Sequence, residues 1–243
     1  MMTMMEANTA PVAEAGPAEA LAAAALTLAR RFAAGGTMWC VAPEWPSHGR
    51  HIAVEFIHPV IIGKRALPAM SIDSGGGAAA LRLLVRRGDV LVVVSTAGNA
   101  AATDLLDRAE AWGLTRVWLG TGPRPAARRA EHVVWLEGSD PALAARSGDM
   151  VLLYHLLWEL THVVFEHPGL LEAPPGCAGE VCITCSDEGR VAEVRSLLEG
   201  GAVEVTIEGV VETVDATLVA PVAPGDLLLV HAGVALTTIG ASP

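Results

Sequence analysis

Two hydrophobic periods divide this chain. In the first part, stretches that are apolar almost without a break alternate with stretches whose apolar residues recur every three to four positions. The unbroken runs are TMWCVA (37–42), PAMSID (68–73), DVLVVVST (89–96), TRVWLG (115–120) and HVVWLE (132–137). Strands covered on both faces read this way, because neither side needs polar residues. Helical spacing fills 50–60, 76–87 and 100–112. An Ala/Leu helix at about 18–34, ended by Gly35-Gly36, precedes the set, and the apolar helix 149–166 closes it. Strand and helix in alternation predict an α/β domain, three layers deep with a parallel sheet in the middle.

At HPGLLEAPPGCAG (167–179) proline and glycine interrupt the pattern, as in a linker. The period after it is two: in AVEVTIEG (202–209), Val203, Val205 and Ile207 fall on one face and Glu204, Thr206 and Glu208 on the other. VVETVDATLV (210–219) stays extended, and APVAPGDLLLVHAGVALTTIG adds a Pro-Gly-Asp turn and a long apolar strand. Short strands with turns and no helical spacing predict a small antiparallel β-barrel of the OB-like kind. The expected division is a disordered leader at 1–17, the α/β domain at 18–168, a linker at 169–180 and the barrel at 181–243.

Composition sharpens this picture at three points. With 52% of 243 residues apolar, there is material for a large core. The net charge is −11, and from Gly176 onward ten acidic residues face only Arg190 and Arg195. Phosphates would be repelled, so neither a nucleic acid nor an anionic membrane is an expected partner. The first twenty residues lack a basic segment followed by an apolar one, so no signal peptide is expected. The run from Met150 to Phe165 is broken by His155, Glu159 and His162 and is shorter than the roughly 20 residues of a membrane span. A cytoplasmic protein follows, with Cys40, Cys177, Cys182 and Cys185 reduced.

Cys182-Ile-Thr-Cys185 stands at the entry to the second domain. One CxxC is half a structural zinc site, and a thioredoxin-type pair would open a helix rather than precede strands. Incidental cysteines are a third reading. A fourth comes from the surrounding residues: Cys182-Ile183, Gly189-Arg190-Val191, Thr217-Leu218-Val219 and the block from Pro224-Gly225-Asp226 to Val230-His231-Ala232-Gly233-Val234-Ala235. Over residues 180–240 this pattern resembles the HypC/HupF hydrogenase-maturation chaperones. The resemblance implies a cysteine and the strand histidine holding a low-spin iron that carries cyanide and carbonyl ligands. It also implies partners: other maturation proteins and the large subunit of a [NiFe]-hydrogenase. A thiolate is a soft donor suited to such iron, and an imidazole can complete or orient the site. Carried over, the roles fall on Cys182 or Cys185 and on His231. Cys182 is followed by an aliphatic residue as in the family, Glu188 stands where the family has proline, and the cysteine is internal.

RRGDVLVVVSTAGNAAATDLLDRAEAWG (86–113) resembles the SIS (sugar isomerase) domain, in particular its phosphoheptose isomerase branch, over residues 18–168. The likeness implies a phosphate cradle at the start of the helix, with Ser95, Thr96, Gly98 and Asn99 retained and Ala97 and Ala100 in place of serines. The family's second phosphate loop is replaced by PEWPSHGR (43–50). It further implies a second metal site, zinc being one candidate, at His51, Glu55 and His155, with Leu152 where the family has glutamine. His51 and Glu55 are four apart, and His162 lies two turns beyond His155, so each pair shares a helix face. SIS domains pair, which implies a homodimer or homotetramer. The Trp45-Pro46 loop with His48, Arg50 and His51 is either a rigid turn or a new ligand surface.

Three functions compete on these residues: a non-enzymatic maturation chaperone with a degenerate SIS scaffold, a phosphosugar isomerase with an accessory barrel, and a sensor of a phosphorylated ligand. The block around His231 and the loss of hydroxyls favour the first.

Overall fold

Apolar runs become strands and the spaced stretches become helices in the order α1 (Pro17–Ala33), β1 (Met38–Val41), α2 (Pro46–Ile57), β2 (Ala69–Ser71), α3 (Gly77–Leu84), β3 (Val90–Thr96), α4 (Ala100–Ala111), β4 (Thr115–Thr121), β5 (His132–Leu136) and α5 (Gly148–Glu166). The computed structural model describes residues 16–73, 77–126, 129–137, 148–172 and 189–239. Most of the expected leader, and Cys177, Cys182 and Cys185, lie outside the described residues.

The five strands form one parallel sheet in the order β2-β1-β3-β4-β5. Strand β3 shows why its sequence has no polar alternation. Val90, Val92 and Val94 pack towards α1, α2 and α5, meeting Leu28, Ile52, Phe56 and Leu157. Leu91 and Val93 pack the other way, against Leu81, Leu105, Leu106 and Trp112 of the α3 and α4 side. Each fully buried aliphatic side chain contributes about 1.5–3 kcal/mol, so both faces drive the same strand. The second helix starts at Pro46, four residues earlier than its apolar spacing predicts. Proline suits a first helical position, where its fixed φ is already helical and no donor is lost. On β4, a Cβ at Gly120 would lie 2.0 Å from the Trp135 ring, so only glycine lets that indole cross the strand.

The second period closes on itself. Strands β6 (Arg190–Leu197), β7 (Ala202–Ile207), β8 (Val210–Asp215), β9 (Leu227–His231) and β10 (Val234–Ile239) form a closed barrel in the order β10-β8-β7-β6-β9. Val203, Val205 and Ile207 line its interior with Val194, Val214, Leu228 and Val230. Four of the pairings are antiparallel, and the closing contact of β10 with β8 is parallel. This differs from an all-antiparallel barrel because β9 enters between β6 and β10, which leaves β10 running in the direction of β8.

Barrel and sheet domain share a junction at the end of α4. Glu193 of β6 accepts from Trp112 Nε1 at 2.6 Å and from Arg108 Nη1 at 2.8 Å, and the same Arg108 nitrogen donates to the Gly225 carbonyl. Gly209 N–H of the β7–β8 turn donates to the Ala111 carbonyl at 2.8 Å. Leu227 joins Trp112 in one buried cluster. At Gly113 φ is +73°, and a Cβ there would come within 2.5 Å of the Glu208 carbonyl oxygen, so the approach of the two turns requires glycine.

Candidate functional site

The end of β3 and the turn into α4 hold four of the residues singled out in the sequence, and most of their polar groups already have partners. Ser95 is fully buried and accepts from Trp118 Nε1 at 2.9 Å, so its hydroxyl faces the core side of the sheet. Asn99 caps α4, its Oδ1 accepting from Ala102 N–H at 2.9 Å, and Gly98 forms the turn before it. The Thr96 backbone N–H donates to Glu44 Oε2 at 2.7 Å and its hydroxyl to Glu44 Oε1 at 2.9 Å. Glu44 belongs to the loop after β1. A carboxylate of the protein itself therefore engages the donors of Thr96, near the positive end of the α4 dipole.

On the opposite side of the sheet, α2 and α5 bring together a second set. His51 and Glu55, one turn apart on α2, meet His155 of α5, with one ligand atom from each lying within 4.8 Å of the other two. His51 Nε2 is 3.2 Å from Glu55 Oε1 and 3.4 Å from His155 Nε2, and His155 Nε2 is 3.6 Å from the same carboxylate oxygen. All three are half-buried, so the cluster is open to solvent on one side. Two imidazoles and a carboxylate are a donor set that zinc accepts with a fourth position left open. Leu152 is 57% exposed on α5 and carries no donor.

Behind this cluster lies Tyr154, 1% exposed, whose hydroxyl is 2.7 Å from His51 Nδ1. Buried His48 follows, its Nδ1 3.5 Å from the same hydroxyl. Burial, assisted by the Glu55 charge, pushes the Tyr154 phenol up to about 12, so it keeps its proton near neutrality. His162 departs from the helix-face expectation. It is 1% exposed, with Nδ1 at the Trp158 carbonyl and Nε2 at the Arg65 carbonyl, and it takes no part in the cluster.

In the barrel, His231 ends β9, half-buried, and pairs with Val234 across a tight turn in which Ala232 and Gly233 both have positive φ. Arg190 of β6 lies opposite Val230. Continuing the antiparallel register puts Gly189 across from His231. Cys185 and Cys182 lie outside the described residues, four and seven positions before Gly189. Cys40, the one cysteine among the described residues, is buried in β1, and burial pushes its thiol far up, so it is inert as a ligand.

Two side chains that matter here escaped the sequence. Glu44 sits between Pro43 and Trp45-Pro46 at the end of a strand, and an acidic residue in that place was the available signal. Tyr154 is the only tyrosine of the chain and adjoins His155, but helical spacing assigns it to the core, where most of it is.

Comparison with known proteins bears on both halves. Residues 188–242 match the HupF/HypC family. No curated protein sequence matches the chain at a significant level. Among solved structures, a phosphoheptose isomerase from Francisella tularensis aligns at 17% identity and a TM-score of 0.52, covering 64% of this chain and 88% of its own. A phosphoheptose isomerase from Neisseria gonorrhoeae aligns at 20% identity and TM-score 0.47, covering 58% and 84%. The sugar isomerase domain of an RpiR transcription factor from Sphaerobacter thermophilus does so at 15% and 0.47, covering 63% and 81%. The first likeness establishes an SIS-type fold for the α/β half; at this identity it speaks to the fold alone.

Proposed function

We propose that the protein is a cytoplasmic hydrogenase-maturation chaperone that carries or inserts the iron-cyanide-carbonyl unit of a [NiFe]-hydrogenase, with its SIS-type half as an oligomerising or docking scaffold. The observation that carries this reading is the HupF/HypC match over a closed barrel whose β9–β10 hairpin presents His231. The iron unit is cargo. A thiolate from Cys182 or Cys185 and the His231 imidazole are the ligands that suit it, since a carrier must release what it holds and few protein bonds favour release. Its partners are other maturation proteins and the hydrogenase large subunit. Infrared spectroscopy with iron analysis on protein purified anaerobically from its host tests the assignment. Cyanide and carbonyl stretching bands with bound iron, lost in Cys182→Ala or Cys185→Ala, are expected. Absence of both bands and iron removes the carrier role.

A second site has its own support in the convergence of His51, Glu55 and His155. We read this cluster as a divalent metal site of the scaffold, zinc being the cation its donors suit. Sugar-phosphate isomerisation is the weaker reading. Glu44 engages the Thr96 donors and Ser95 is turned inward, which leaves a phosphate little to bind at this turn. The protein is therefore read as a non-enzyme.

A further inference from the structure

Of the three residues in the α2–α5 cluster, His51 is the one whose second ring nitrogen meets a buried hydroxyl. Its Nε2 faces Glu55 and His155, while its Nδ1 lies 2.7 Å from the Tyr154 oxygen. The two rings stand nearly perpendicular, at 72° with centroids 5.1 Å apart, so the imidazole edge points at the phenol. Tyr154 is itself fixed, 1% exposed among core residues, with His48 on its far side. A metal bound at His51 Nε2 requires that nitrogen to be bare, which places the ring proton on Nδ1. The Tyr154 oxygen is then the acceptor for it, and the phenol proton is free to turn towards His48 Nδ1. Without a metal the reverse holds equally well: His51 can donate from Nε2 to Glu55 while Nδ1 accepts from the phenol.

We propose that Tyr154 is the positioning residue of this metal site, holding His51 in the tautomer and ring orientation that expose Nε2 to the cation, with His48 Nδ1 within reach as an acceptor for the phenol proton. The inference rests on the reading of His51, Glu55 and His155 as metal ligands. Tyr154 touches no metal; it acts through His51. Its hydroxyl differs from a packing group because its effect should be lost on removing a single oxygen while the ring stays in place. Outer partners of this kind typically change metal affinity by about 10- to 100-fold.

The test uses zinc alone, titrated into the full-length protein against a chromophoric chelator, for wild type, Glu55→Gln and Tyr154→Phe. Long-range proton–nitrogen spectra of the zinc-loaded proteins report the His51 tautomer. We expect wild type to bind zinc, Glu55→Gln to lose most of that affinity, and Tyr154→Phe to bind about 10- to 100-fold more weakly with an unchanged circular dichroism spectrum. In wild type the His51 proton should sit on Nδ1 with a nitrogen shift marking a strong hydrogen bond, and that mark should vanish in Tyr154→Phe. Equal zinc affinity of wild type and Tyr154→Phe, with Glu55→Gln impaired, overturns the role of Tyr154 and leaves the metal site standing. The role of Tyr154 falls as well if Tyr154→Phe binds more weakly while the His51 signature is unmoved, since the loss is then structural. Zinc binding absent in wild type, or indifferent to Glu55→Gln, removes the metal site and this inference together.

Discussion

Glu44 illustrates how one side chain can occupy the donors of a turn that belongs to other elements. Its two carboxylate oxygens take the N–H and hydroxyl of Thr96, and the α4 dipole favours negative charge there. Because Glu44 is exposed, the contact is worth only about 1 kcal/mol, which for a chain of this size is about 2–4 °C of melting temperature. Glu44→Ala should lower Tm by that amount in calorimetry, and inorganic phosphate should then raise the Tm of the variant and leave wild type unchanged. A phosphate effect of equal size in wild type would mean that Glu44 yields its place to anions. None of this was written into a local pattern. Glu44 and Thr96 are 52 residues apart, and Tyr154 and His51 are 103 apart. A period reports which face of an element a residue occupies and says nothing of what a side chain from another element brings to it. His162 makes the same point from the other side, since its count places it with His155 while its ring is taken by the carbonyls of Trp158 and Arg65.

At the scale of elements, legibility follows burial. Strands β3 and β4 were evident because a sheet covered on both faces admits almost no polar residue, and β7 because apolar residues lining the barrel alternate with Glu204 and Thr206, although Thr206 is itself buried. The docking of β6 on α4 was not legible, because it depends on Glu193, which spacing alone marks as a polar face position. Its side chain is only 13% exposed and meets Trp112, Arg108 and, at 3.7 Å, Arg82. Removing it strands a buried indole N–H and thins the partners of Arg108, at about 2–4 kcal/mol. Glu193→Ala should therefore lower unfolding stability by that amount and speed hydrogen exchange in both β6 and the end of α4. Glu193→Gln, which keeps an acceptor oxygen, should recover part of the loss. Faster exchange confined to β6 would show that α4 does not depend on the barrel.

Over the whole molecule, one group of exposed apolar residues lies on α2, the turn after it and α5, with Val54, Val60, Ile61 and Ile62 on one side and Leu152 and Leu156 on the other; further ones lie on α3 and the barrel. Helices α2 and α5 pack on each other, so these residues border one region, which also contains the open side of the metal cluster. No helix among the described residues is long and apolar enough to cross a membrane. A second copy of the chain is the cover we propose. Leu152→Glu and Leu156→Glu should shift the mass measured by light scattering from an oligomer to a monomer with native circular dichroism, and a wild-type monomer would dismiss the scaffold's oligomeric role.

The junction at Trp112 has a further consequence for how such a chain can change over generations. Trp112 and Leu227 bury each other's surroundings, and the turns at Gly113 and Gly209 touch through backbone. Either half, once encoded alone, would carry a water-exposed apolar scar where the other had been. Parting the two halves is therefore penalised at the first step. The junction thus works as a ratchet, holding barrel and sheet domain on one polypeptide because each covers the other's apolar contact face.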